Sequence, residues 1–233
     1  MDGKYTYYDL VAHLVPGTLL LAVLALVPEV FGFSLPTPSS TVVALVTGLP
    51  VAYVAGQVMQ ALASFLQPVY YRLWGGMPST EIAAGDSKRL RGSRLDRVMS
   101  TLATRFNAPS DTPAEREELF ADAMALCNQK GLGRVGEFNA SYAFHRALLT
   151  TGVIVTVILG AALALAEFGT TSVSHDLRSS LIYFVVLAVM LTVVEFIRAR
   201  QRGEYFAVEV LNMAYVDSLD SAQTALAPGV AAS

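Results

Sequence analysis

No charged side chain falls between Asp9 and Glu29, and none between Glu29 and Arg72. The hydrocarbon core of a bilayer is about 30 Å thick, and a helix needs about 20 apolar residues to cross it. Residues 10–33 supply one such run and residues 41–66 a second. Between them SLPTPSS (34–40), with two prolines and three serines, reads as a tight turn. Residues 147–166 and 181–197 complete four spans, the last short and expected to continue as a helix beyond the membrane. The first run is longer than the apolar region of a cleaved leader and reads as a retained helix.

Between the second and third spans the pattern changes. Leu95, Val98, Met99, Leu102 and Phe106 recur at helical spacing, after a Ser93–Asp96 pair spaced like a capping box. Thr112, Pro113 and Glu115 open another helix, with Leu119, Ala123, Leu126 and Cys127 as its apolar face and Gly131 as its stop. Residues 138–146 begin a helix that feeds span three, whereas 75–85 has no periodicity and is expected to be a loop. Glu204 to Tyr215 returns to helical spacing and is expected to dock on the insert. The small, polar residues from about Asp217 onward are expected to be disordered. The fold class is therefore an all-α integral membrane protein, with four transmembrane helices and a small helical cytosolic insert between spans two and three. Its parts are a first hairpin (1–71), the insert (72–146), a second hairpin (147–200), and a cytosolic helix with a disordered tail (201–233).

Composition agrees: 54% of residues are hydrophobic and 15% charged, with a mean hydropathy of +0.49, short of the polar surface a soluble domain needs. Charge orients the chain. Of 16 Lys and Arg residues, all but Arg178 fall at the N-terminus, between spans two and three, or after span four. Basic residues resist translocation, so these three segments and both termini are expected in the cytoplasm. Tyr5, Tyr7 and Tyr8, and then Tyr70, Tyr71 and Trp74, fall at span boundaries, where amphipathic rings make an anchoring belt.

Within the insert the charges segregate. Residues 86–105 carry Lys88, Arg89, Arg91, Arg94, Arg97 and Arg105 against two acids, and residues 111–122 carry five acids against Arg116. These faces can pair with each other or a neighbouring subunit, or meet anionic lipid; alternatively the basic set forms a phosphate-binding patch for a nucleotide or oligonucleotide. In span two Tyr53, Gln57, Gln60, Ser64 and Gln67 form one polar stripe, which must meet a helix, a subunit or water because amides do not face lipid. In span three Gly152, Thr156, Gly160 and Ala164 form a small-residue row suited to close helix packing. Glu195 is placed to pair with Arg198, and Asp9 with His13 marks the inner mouth of span one. GLGRVG (131–136) matches a dinucleotide fingerprint in letters, but it follows a helix, so Gly131 reads as a C-cap. A single cysteine and three scattered histidines give no metal spacing or nucleophile–base pair; neither a cofactor nor an enzymatic activity is expected.

YYDLVAHLVPG (7–17) and the overall layout resemble four-span membrane effectors of bacterial anti-phage defence systems, the HalB ion-channel subunits of Hailong. The resemblance implies a homo-oligomeric channel of the bacterial inner membrane, a tetramer by expectation. It also implies control by an oligonucleotide from a partner cytosolic nucleotidyltransferase. The phosphate contacts would fall on the six basic residues named above. Four helices enclose too little space for a pore, so conduction is expected between subunits, lined by the span-two stripe, with Glu195 as a cation-selectivity group. The alternative is a non-conducting membrane scaffold that recruits a cytosolic partner through the insert.

Overall fold

The computed structural model describes residues 7–30, 40–168 and 175–226. The described residues form eight helices and no strand: α1 (Tyr7–Val30), α2 (Thr41–Phe65), α3 (Gln67–Trp74), α4 (Pro78–Ala84), α5 (Ser93–Phe106), α6 (Pro113–Lys130), α7 (Val135–Phe168) and α8 (His175–Leu226). Four of them, α1, α2, α7 and α8, are long and apolar enough to cross a membrane. The described residues are thus all-helical, with four helices that suggest a multi-pass membrane protein. It divides into two compact units, residues 1–68 with 140–199 and residues 69–139 with 200–233.

The first unit is held by close backbone approach. A Cβ added to Gly17 would overlap the Ala52 carbonyl, and one on Gly56 would overlap the carbonyl of His13. Position 17 meets 52 and 56 while 13 meets 56, so α1 and α2 run antiparallel with almost no side chain between them. Gly48, one turn from Ala52, has open space where a Cβ would stand. Elsewhere Val23 of α1 joins Val155 and Leu159 of α7 and Leu181 and Ala188 of α8 in one buried cluster. Outward positions are apolar and bare: Val46, Val157 and Leu187 are 67%, 65% and 62% exposed, a surface made for lipid or for another subunit.

The second unit has a core of the soluble kind. Ile82 of α4, Leu95 and Leu102 of α5, Leu119 and Ala123 of α6, and Val210 and Leu211 of α8 are fully buried together. Burying each such aliphatic side chain contributes about 1.5–3 kcal/mol. The capping box expected at Thr112 is formed, with Thr112 Oγ1 accepting from the Glu115 amide and Glu115 returning to the Thr112 amide at 2.8 Å. These bonds hold the Glu115 carboxyl below its ordinary value, the Thr112 amide contributing most. Gly131 caps α6 in the left-handed region, as its position implied.

Several local expectations are corrected. The Ser93–Asp96 box does not form, because Gly92, at φ +60°, starts α5 one residue earlier and no side chain caps it. Asp96 instead accepts from Arg116 at 3.3 Å. Residues 75–85 are not a loop throughout: α4 fills 78–84, opened by Pro78 and closed by Gly85 in the left-handed region. The chain is not disordered from Asp217, since α8 continues to Leu226 and Asp217 accepts from Lys130 and Arg105. Tyr70 and Trp74, assigned to an interfacial belt, are 5% and 4% exposed. Arg178 lies in the first turns of α8 rather than a loop, and its Nε stands 2.5 Å from Glu167. The 34–39 turn, Tyr5 and the last seven residues lie outside the described residues, as do the side chains of Tyr7, Tyr8, Asp9 and Glu29.

The glycine contacts yield a paired test. Gly17→Ala or Gly56→Ala is expected to cost about 1–3 kcal/mol through overpacking, lowering the thermal unfolding midpoint in detergent. Gly48→Ala, which meets nothing, should be neutral or stabilising by up to about 1 kcal/mol.

Candidate functional site

Polar side chains on apolar helices are costly unless bonded, so their partners locate what the membrane unit has invested in. Many are solved locally. Thr150 and Thr151 on α7 donate to the carbonyls of Arg146 and Ala147, and Thr192 on α8 donates to Ala188. Each hydroxyl bonds one turn back along its own helix.

One group is not solved locally. His145 of α7 and Glu195 of α8 lie 2.6 Å apart through Nδ1 and Oε2, with side-chain exposures of 14% and 10%. The bond joins an imidazole nitrogen to a carboxyl oxygen across the two helices. The neighbouring Arg146 donates to Gln67 Oε1 at 2.5 Å and lies 4.7 Å from the Tyr142 ring centre. The buried Arg146 Nε has no bonded partner among the described residues, leaving one donor free for water or a ligand. Glu195 therefore pairs with His145 and not with Arg198, the expectation from i,i+3 spacing. The buried partner was closer, and Arg198 is exposed.

The span-two stripe is broken at its end. α2 stops at Phe65 with Leu66 as its cap, and Gln67 opens α3, where it serves Arg146. In the remaining stripe Gln57 is exposed and donates to Tyr53 on its own helix at 3.1 Å. Ser64, also exposed, donates to the Gln60 carbonyl. Tyr53 stands 5.2 Å from the His13 ring. The small-residue row divides likewise. Gly152 lies against Thr192, and Thr156 Oγ1 is 3.4 Å from Thr192 Oγ1. Gly160 has open space where a Cβ would stand, and Ala164 is exposed. Only the first half of the row packs between helices.

In the second unit the six basic residues are distributed, not gathered. Arg89 donates to Glu204 Oε2 at 2.6 Å and stacks 3.9 Å over Tyr205, and the Glu204 bond holds its guanidinium above the ordinary value. Arg200 joins Glu81 and Glu204, closing a network around a concavity that Lys88 and Asp86 also line. That concavity holds three basic and three acidic groups and is electrically balanced. Arg105 lines a different hollow and is neutralised by Asp217, which also accepts both bonds of Lys130 at 2.8 Å. Arg94 and Arg97 line a third with Val98, Asn212, Tyr215 and Val216, and no acid is among those residues. Arg94 reaches Asn212 at 3.5 Å, whereas Lys88, Arg91 and Arg97 have no bonded partner among the described residues. The described residues contain no cluster of His, Cys, Asp or Glu able to hold a metal ion.

Breaking one side of the buried pair tests its part in the unit. Glu195→Leu is expected to cost about 3 kcal/mol by stranding the imidazole, and adding His145→Phe should recover at least half. Chemical or thermal unfolding in detergent reads both. Compared with protein-family models, curated proteins and solved structures, the chain shows no match.

Proposed function

We propose that this protein is a homo-oligomeric membrane channel whose helical unit, on the cytoplasmic side, receives a phosphate-bearing ligand that gates it. The observation that carries the reading is Gln57, an exposed amide on a helix otherwise built for hydrocarbon. Among the described residues its side chain bonds only within its own helix, so the remaining amide capacity calls for water or another subunit. With four spans per chain the water path lies between subunits, lined by Gln57, Gln60 and Tyr53. Glu195, bonded to His145, is not offered to that path in this conformation.

The ligand falls most naturally on Arg94 and Arg97. They form an arginine pair in a hollow whose lining holds no acid, with Tyr215 for stacking and Asn212 for a base edge. The basic segments support a cytoplasmic position for both termini, and the resemblance to anti-phage effectors supports a place in the bacterial inner membrane. That resemblance supplies the ligand class, an oligonucleotide made by a partner nucleotidyltransferase. In the scaffold reading the stripe serves only as helix glue, and the glutamines would line no water path.

Two measurements test the reading. Expression alone should depolarise bacterial membranes, seen with a voltage-sensitive dye, and Gln57→Leu with Gln60→Leu should lower single-channel conductance; unchanged currents remove the lining assignment. Arg94→Glu with Arg97→Glu should weaken nucleotide binding at least roughly tenfold, each charge-assisted contact being worth about 1.5–3 kcal/mol.

A further inference from the structure

We infer that the groove between α5 and the C-terminal part of α8 receives helix α6 of a second copy of this chain. The inference rests on the homo-oligomeric reading above and names the contact between its helical units.

The groove is basic and partly apolar. Arg94 and Arg97 stand one turn apart on α5, and Val216 and Leu219 on α8 are 46% and 40% exposed. Leu219 lines the adjoining hollow beside Thr101, so the two concavities follow the same pair of helices. α6 carries the complement. Its core face is Leu119, Phe120, Ala123 and Cys127. At 100° per residue the opposite face holds Glu118 and Asp122, one turn apart, flanked by Ala114, Ala121 and Ala125. All five are exposed, and neither carboxylate has a bonded partner among the described residues. Small residues beside the acids let a second surface approach closely.

These charges do not find each other within one chain. The ion pair between α5 and α6 is Arg116 with Asp96, made by other residues, while Arg94 turns to Asn212 on α8. The acidic face of α6 and the basic groove of α5 are thus complementary but separate on the same molecule. Such a pair of unlike surfaces makes a head-to-tail contact, and repetition of that contact closes into a ring. Exposed ion pairs are individually weak, so this contact sets register and orientation in an assembly that the spans hold together. It also couples assembly to ligand: phosphates bound at Arg94 and Arg97 displace the neighbour's carboxylates.

The test cross-links full-length protein in native membranes. Copies bearing Val216→Cys are co-expressed with copies bearing Asp122→Cys and oxidised with copper phenanthroline. Native Cys127 stays out of the chemistry: it is buried, its thiol is 3.6 Å from the Val210 carbonyl, and burial above all pushes its pKa up. The expected product is a disulfide dimer at least tenfold more abundant than from either variant alone or from Lys88→Cys with Asp122→Cys. A single chain carrying both Val216→Cys and Asp122→Cys should give a ladder. No dimer above those backgrounds overturns the inference, and tripolyphosphate binding in its absence leaves the ligand reading standing alone. A dimer that tripolyphosphate suppresses supports both; a dimer that it leaves unchanged supports the interface and removes the ligand from these arginines.

Discussion

Hydrocarbon offers no hydrogen bonds, and that constraint organises the membrane unit. It requires helices, since only a helix satisfies its backbone within one segment. It then sorts the polar side chains by where their partners lie. Thr150, Thr151, Thr156 and Thr192 return their hydroxyls to carbonyls of their own helices, one turn back. His145 with Glu195, and Arg146 with Gln67, are satisfied only between helices, so they fix which helices sit side by side. Gln57 is satisfied only in part, by one bond to Tyr53 on its own helix, and its remaining amide capacity would be met by another copy or by water.

The two units are held by different physics. Burial of apolar surface drives helices together in water, but lipid tails are as apolar as leucine and give no such force. The membrane unit accordingly relies on contact: Gly17 and Gly56 bring α1 and α2 within backbone distance, and Gly152 does the same against Thr192. The second unit relies on volume, with Leu95, Leu102, Leu119 and Leu211 buried around Ala123, Ala207 and Ala214. A methyl group added to the first kind of contact has nowhere to go, whereas the second kind can repack.

Spans were legible because length and hydropathy are one-dimensional properties: the runs at 41–66 and 147–166 lie within or one residue beyond α2 and α7. Caps were legible where a side chain does the work, as at Thr112 with Glu115, and missed where backbone conformation does it, as at Gly92. α4 was lost because seven residues are too few to show a period, although Pro78 and Gly85 mark its two ends. Partners were the least legible. Spacing along one helix put Glu195 with Arg198, but the bond crosses to His145 on another. The signal lay in depth: Glu195 stands two residues inside the end of one apolar run, and His145 two residues before the start of an antiparallel one. The α1–α2 contact had a signal too, in Gly48, Ala52 and Gly56 at intervals of four.

The electrostatics of the second unit shows why summing charges along a sequence locates a patch poorly. Residues 86–105 are net positive, yet the useful quantity is the charge left after internal pairing. Arg89 is absorbed by Glu204 and Arg105 by Asp217, acids more than a hundred positions away on α8. Those pairs tie the segment around α5 to α8, so they belong to the folding of the unit. What remains is Arg94 and Arg97 in one groove, with Lys88 and Arg91 outside it. The same subtraction on α6 removes Glu115, spent on the cap, and Glu117, which accepts from Thr80, and leaves Glu118 and Asp122. Each helix keeps one pair of like charges, a turn apart, after its own structure has been satisfied. Arg94 with Arg97 and Glu118 with Asp122 are two like-charged pairs of opposite sign on separate faces, and the recognition proposed above rests on them.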